Sequence, residues 1–249
     1  MNENHFSIQA VINQGIHLYQ KHWKKAVIGQ LLVVVLGFVA GMAFVSPVII
    51  AGIAGKSFGA IKIAIFSVIG ILLLCAIFYF MFGYARLMYK LANGENPSVR
   101  EIFRGPRVQF WNYFWGKLVA SVGILIGFVL LIVPGVILLI GLSLFTFILF
   151  DKNLKAIDAL KESWRLTKGH RMSIFLFGLI FVIASFIVGL VPVLGNLISA
   201  FIISPISFFV MFAIYKTIVK APVIVEQKVI QPERVQEPVV QASELPKGE

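Results

Sequence analysis

The chain has 249 residues, 59% of them apolar and only 13% charged, against about 25% charged in an ordinary soluble domain. With a mean hydropathy of +0.93, this composition excludes a soluble globular protein and leaves no room for a second folded domain of ~100 residues outside the membrane. The formal net charge of +11 would suit a nucleic acid, but the positions of the cations, given below, account for it without such a partner.

Residues 1–25 read as a cytoplasmic amphipathic helix. Ile8, Val11, Ile12, Ile16, Tyr19 and Trp23 fall on one helical stripe, and Asn13, Gln14, His17 and Gln20 lie mostly on the other face. Lys21, Lys24 and Lys25 then stop the helix at the membrane surface, with Trp23 as its aromatic anchor. The apolar run that follows exceeds the ~7–15 residues of a signal-peptide core, so span 1, about Ala26–Phe44, is expected to stay as an anchor.

Residues 26–220 read as a six-span membrane domain. Pro47 follows span 1, and Ser46–Lys62 reads as a Gly-rich outer turn. Span 2 runs about Ile63–Ala85 and contains the single cysteine, Cys75, which excludes an intramolecular disulfide and a cysteine-based metal site and reads as a buried apolar filler. Arg86–Arg107 is a basic loop with a turn at Asn93-Gly94 and a short helix opened by Pro97-Ser98 and running through Phe103. Span 3, Phe110–Val133, begins with a head-group belt of Phe110, Trp111, Tyr113, Phe114 and Trp115, close enough to the inner surface for Lys117 to snorkel.

Leu118–Phe150 carries no ionisable side chain. At ~1.5 Å per residue it covers about 50 Å, too long for one crossing of ~30 Å and short for two. We read a tight hairpin turning at Pro134-Gly135, with a short span 4 at Val136–Phe150; re-entrant half-helices are the alternative. Asp151–Arg171 is a polar helix with Asp151 or Asn153 as N-cap, an apolar face of Leu154, Ile157, Leu160 and Trp164, and a left-handed end at Gly169. It reads as a connector on the membrane surface; the alternative is a docking surface for a partner or for acidic head groups. Span 5 is Met172–Val191, Pro192 and Gly195-Asn196 make the next turn, and span 6 is Leu197–Tyr215. Residues 221–249, with Pro222, Pro232, Pro238 and Pro246, are expected to be a disordered cytoplasmic tail.

Of the 22 Lys and Arg, all but Lys56 and Lys62 fall before span 1, between spans 2 and 3 or at the start of span 3, between spans 4 and 5, or after span 6. Six crossings place those segments on one side, and the excess of cations makes that side cytoplasmic, with both termini inside. The expected fold is therefore an all-α membrane protein with six transmembrane helices, arranged as three Pro-turned hairpins with cytoplasmic amphipathic lead-in helices. The turns are VSPVI (Pro47), IVPGV (Pro134) and LVPVL (Pro192), and each outward span carries a small-residue pair suited to close helix packing: Gly37/Gly41, Gly123/Gly127 and Ser185/Gly189.

The loop LANGENPSVREIFRG (Leu91–Gly105), the turn IVPGVI (Ile132–Ile137) and ALKESWRLTKG (Ala159–Gly169) resemble a group of bacterial integral-membrane domains. One type is the membrane domain fused to some glycerophosphodiester phosphodiesterases; others are stand-alone six-helix proteins of uncharacterised function. The resemblance covers roughly residues 6–220. It implies the six-helix architecture, the bacterial cytoplasmic membrane and a link to envelope lipids, but no catalytic residues, because the phosphodiesterase barrel has no counterpart here.

No nucleophile–base pair, zinc-spaced histidine pair or phosphate loop is present: His5, His17, His22 and His170 are scattered, and Asp158 and Glu162 read as a solvated helix face. The expectation is a non-enzymatic protein without cofactor or metal, structural or regulatory in role, with membrane lipids and a second copy or another membrane protein as partners. Lys24, Lys25, Arg104, Arg107, Arg165, Lys168 and Arg171 are the candidates for contact with anionic lipid. The alternative is a transporter or lipid-translocating protein. It requires a hydrated chamber, for which Gln30, Ser121, Ser143, Thr146, Ser185, Asn196 and Ser204 are the available lining.

Overall fold

The computed structural model describes residues 8–53 and 60–230. The described residues are helical throughout their regular elements, with no strand among them. α1 (Ile8–Ile53) and α2 (Ala60–Ala92) are joined by residues outside the described set, Lys56 among them. A 3₁₀ turn (Val99–Phe103) leads into α3 (Arg107–Leu130), α4 (Ile132–Gly141), α5 (Phe145–Lys152), α6 (Ala156–Thr167), α7 (Arg171–Gly189) and α8 (Leu194–Ile198). A π turn at Ser199–Ile203 then opens α9 (Ser204–Ile230). Six stretches are long and apolar enough to cross a membrane: Gln9–Ala43, Val68–Ala92, Arg107–Leu130, Ile132–Lys152, Arg171–Gly189 and Leu194–Val219.

The expected lead-in and span 1 form one uninterrupted helix. Lys21, Lys24 and Lys25 are good helix formers and do not break it. Its first turns pack on α9, with Val11 and Ala26 buried and the Tyr19 hydroxyl donating to the Phe201 carbonyl at 3.2 Å. Pro47 does not end this helix, which continues to Ile53; a proline within a membrane helix is tolerated where neighbouring groups re-satisfy the backbone. The second turn pivots three residues before its proline. Leu131 is extended (φ −164°, ψ 151°), which places Pro134 and Gly135 in the first turn of α4. There α4 lies so close to α3 that a Cβ on Gly127 would stand 2.9 Å from the Gly135 Cα. At the third turn Val193 takes a left-handed φ of 63°, and the Leu194 amide donates to the Pro192 carbonyl at 2.7 Å. This is a tight three-residue turn of the strained kind.

Span 4 is broken. α4 stops at Gly141 and α5 restarts at Phe145. The first turns of α5 are almost wholly apolar, as in a buried helix, and Phe145, Phe147, Ile148 and Leu149 are buried there. Phe147 stacks on Tyr215 at 5.8 Å between ring centres, and Phe150 stacks on Tyr113 at 6.1 Å. The core therefore collects around α5, at the end of the bundle where the 3₁₀ turn and α6 lie. At the other end the apolar side chains stay exposed, for instance Phe38, Val129 and Phe186, as a bilayer-facing surface requires. Cys75 is exposed on that surface and is not buried filler.

Two further expectations change. The tail does not begin at residue 221, since α9 runs through Ile230; residues 231–249 lie outside the described set. Of the small-residue pairs, Gly127 meets Gly135 of α4, and the Gly189 Cα would stand 3.2 Å from a Cβ on Gly195 of α8, whereas Gly37, Gly41 and Gly123 meet nothing within 4 Å among the described residues. Other close approaches fall on glycines outside these pairs. A Cβ on Gly83 would collide with the carbonyl oxygen of Ile102 in the 3₁₀ turn, and the Ser98 side chain caps that turn with Glu101 as its reciprocal partner.

Gly83→Ala should therefore cost about 1–3 kcal/mol, the usual cost of overpacking, whereas Gly37→Ala should leave stability unchanged or slightly raised. Thermal unfolding of both variants in detergent micelles checks this; equal midpoints would contradict the packing.

Candidate functional site

The break in α4/α5 leaves carbonyls without their helical partners, and in an apolar surrounding each unmet group costs several kcal/mol. α6 answers them. The Ser163 and Thr167 hydroxyls are four residues apart and fully buried; Ser163 donates to the Gly141 carbonyl at 2.9 Å, and Thr167 shares its proton between the Gly141 carbonyl at 3.3 Å and the Trp164 carbonyl at 3.1 Å. The Ser143 hydroxyl donates to Ile140 at 2.8 Å. Consequently the buried face of α6 is Ala156, Ala159, Leu160, Ser163 and Thr167, not the expected Leu154–Ile157–Leu160–Trp164 stripe, on which Ile157 and Trp164 are exposed. α6 is docked against the bundle. Trp164 lies against Gly141 and receives the Arg171 guanidinium on its ring at 4.0 Å.

Neither Asp151 nor Asn153 caps α6, whose N-cap position is Lys155. Asn153 closes α5 in a left-handed conformation (φ 49°) and accepts from the Gln109 amide at 2.9 Å. Asp151 is instead the centre of a clamp. Its carboxylate accepts from the Tyr89 hydroxyl at 2.6 Å, the Tyr215 hydroxyl at 2.7 Å and the Lys216 ammonium at 3.2 Å. Three helices, α2, α5 and α9, are thus tied at one charge. Charge-assisted bonds of this kind are short and roughly twice as strong as neutral ones. The sequence marks both tyrosines only as inner-end aromatics and offers no means of pairing them with Asp151.

Next to the clamp lies a chamber of about 380 Å³, walled by α1, α2, α3, α5, α9 and the α4/α5 break. Gln30, Ser143, Thr146 and Ser204, four of the seven polar residues set out for such a chamber, line it, together with Tyr84, Tyr113, Lys117 and Ser207. The other three lie elsewhere. Ser185 lines a neighbouring groove that shares Ser204 and Ser207 with the chamber, the Ser121 hydroxyl is bonded back to Leu118, and Asn196 is exposed outside the chamber. Lys117, expected to reach the head groups, forms part of the chamber wall, its ammonium 5.7 Å from the Tyr113 ring centre.

The chamber's hydrogen-bonding capacity is lopsided. The Ser143 and Ser207 hydroxyls spend their protons on the Ile140 and Ser204 carbonyls. Among the described residues, the Tyr84 hydroxyl is buried without a partner, Lys117 is in none of the ion pairs, and no carboxylate lines the cavity. Around one cation the wall therefore offers the Gln30 amide and the Thr146 hydroxyl, which can each donate or accept, and serine oxygens left as acceptors. Phe147 separates chamber from clamp: it lines the first and stacks on Tyr215 of the second.

The seven candidate lipid-contact cations do not converge. The Lys25 ammonium is tied to Asn96 and to the Pro97 carbonyl, Arg165 is paired with Glu162 at 2.8 Å, and Arg171 covers Trp164. Lys24 lies over the Trp23 ring at 5.9 Å, while Arg104, Arg107 and Lys168 are exposed.

A family described as a domain of unknown function, DUF7847, matches residues 113–242, slightly more than half of the chain, and the chain belongs to that family. The matched stretch contains Lys117, the broken span and Asp151. No curated protein and no solved structure matches the chain.

Tyr215→Phe should destabilise the protein by about 1.5–3 kcal/mol, the range for a hydrogen bond to a charged group. Combined with Asp151→Asn it should cost less than the two single changes added together, since both act on one network; denaturant unfolding in micelles of the four-member cycle checks this. A pH dependence follows from Glu162, whose carboxyl is held down to about 2 by the Arg165 guanidinium first and Lys152 second. A carboxylate depressed from 4.5 contributes stability that is complete above that value and lost as pH falls through about 2. Amide exchange in α6 should accordingly quicken over that acid window, and Glu162→Gln should remove the dependence.

Proposed function

We propose that this member of the DUF7847 family is a non-enzymatic, multi-pass protein of the bacterial cytoplasmic membrane that takes a polar or anionic solute into the chamber between its helices and passes it through the membrane. One observation carries the reading: Gln30, Lys117 and Thr146, from three different helices, line one cavity of about 380 Å³ together with Ser143, Ser204 and Ser207. That volume is within the range of small-ligand sites. A purely structural bundle gains nothing from such a cavity, because in a membrane interior polar side chains are costly and mark substrate paths. The distribution of cations in the sequence supports an orientation with both termini cytoplasmic, and the sequence resemblance to membrane domains fused to phosphodiesterases supports a setting among membrane lipids.

The test uses the chain's only native cysteine. In a Cys75→Ser background, Thr146→Cys and Ser207→Cys should react with a membrane-impermeant, hydrophilic thiol reagent in right-side-out or inverted vesicles. Leu125→Cys, on the exposed apolar face of α3, should stay silent. If the chamber positions are as unreactive as Leu125→Cys from both sides, the chamber is dry and the reading fails.

A further inference from the structure

A second cavity, of about 300 Å³, runs beside the chamber between α4, α7 and α9. The two share Ser143, Ser207 and Met211 as wall, so they adjoin at those side chains. Their chemistry is opposite. The second cavity is formed by Leu139, Ile140, Ile174, Phe175, Leu179 and Phe181, with no charged residue in its lining. From Ile174 to Val182 its wall on α7 extends about 12 Å at ~1.5 Å per residue, close to the ~15 Å of a single leaflet of hydrocarbon. Leu179 and Val182, at 40% and 65% exposed, form an outer lip on the bilayer-facing surface.

We infer that the two cavities form one site for an anionic phospholipid drawn from the surrounding bilayer, its head group among the chamber's donors and one acyl chain in the α4–α7–α9 groove. Charge complementarity selects the head group. Lys117 has no carboxylate beside it in the chamber, and the Gln30 amide and the Thr146 hydroxyl can donate beside it. Adjacency selects the chain. An occupant of the chamber that lacked an apolar tail would leave the adjoining groove unfilled, whereas each methylene buried there contributes favourably. Entry is lateral, over the apolar lip, so the source is the membrane and not the aqueous phase.

This assignment rests on the hydrated chamber proposed above, and the experiment separates the two. The full chain with Cys75→Ser and Thr146→Cys is placed in phosphatidylcholine nanodiscs, and the rate of thiol labelling is followed as dioleoyl-phosphatidylglycerol is added. Labelling should slow about tenfold or more at lipid fractions where further phosphatidylcholine has no effect. Dihexanoyl-phosphatidylglycerol and glycerol 3-phosphate, which carry the charge without a long chain, should protect weakly or not at all. Adding Lys117→Met should abolish the preference for the anionic lipid, and Lys117→Arg should keep it, which distinguishes lost charge from lost folding. Rapid labelling that no lipid slows leaves the chamber standing and overturns the lipid assignment. Equal protection by the short-chain probes also overturns it. No labelling under any condition overturns the chamber itself.

Discussion

A membrane helix that stops before it has crossed must find partners for its freed backbone groups inside the protein, since the hydrocarbon offers none. The break at residues 142–144 imposes that constraint here, and much of the architecture follows from it. The Gly141 carbonyl is met by two hydroxyls of α6, which forces a helix that looks like a surface connector to dock its polar Ser163–Thr167 edge inward. Because α6 is drawn in, Trp164 seats on Gly141 and Arg171 on Trp164, which fixes where α7 begins. The break also turns Ser143 and Thr146 toward the bundle interior, where they become part of the chamber wall.

The short α5 that follows is the junction of the fold. Its rings reach α2 through Phe150 and Tyr89, α3 through Phe150 and Tyr113, and α9 through Phe147 and Tyr215. Its last turn holds Asp151, whose carboxylate gathers Tyr89, Tyr215 and Lys216. Aromatic packing supplies area but little direction; the charge-assisted bonds supply direction. Phe147 belongs to both the clamp's stack and the chamber's lining. An occupant that shifts this ring therefore acts on the contact that ties α2, α5 and α9 together, and this gives a direct physical link between filling the chamber and moving the helices around it.

The spans, their number and their approximate limits are legible because burial in hydrocarbon demands long apolar runs whatever their packing. Ser98 and Glu101 are legible as a helix start, and Gly169, at φ 95°, as a helix end, because capping is local chemistry between neighbours in the chain. Four of the chamber residues are legible as uncommon polar groups within spans. Misreadings arise where a local rule meets a tertiary partner. Pro47 and the lysines of residues 21–25 look like boundaries, but α1 continues through them. Gly37, Gly41 and Gly123 have the spacing of a packing motif and meet nothing within 4 Å among the described residues, while Gly83 and Gly141, outside any such spacing, make close approaches. Asp151 looks like an N-cap because it precedes a helix, and its proton donors are more than sixty residues away in either direction.

The sequence by itself determined that this chain is helical and carries six apolar stretches long enough to cross a membrane, because those properties depend on composition and on interactions a few residues long. Only the tertiary structure decided that the fourth span is broken, that α6 mends it, that Asp151 binds two tyrosines, and that Lys117 shares a cavity with Gln30 and Thr146. Each of these depends on which faces of different helices meet, and apolar helices in an apolar solvent carry almost no one-dimensional record of that choice.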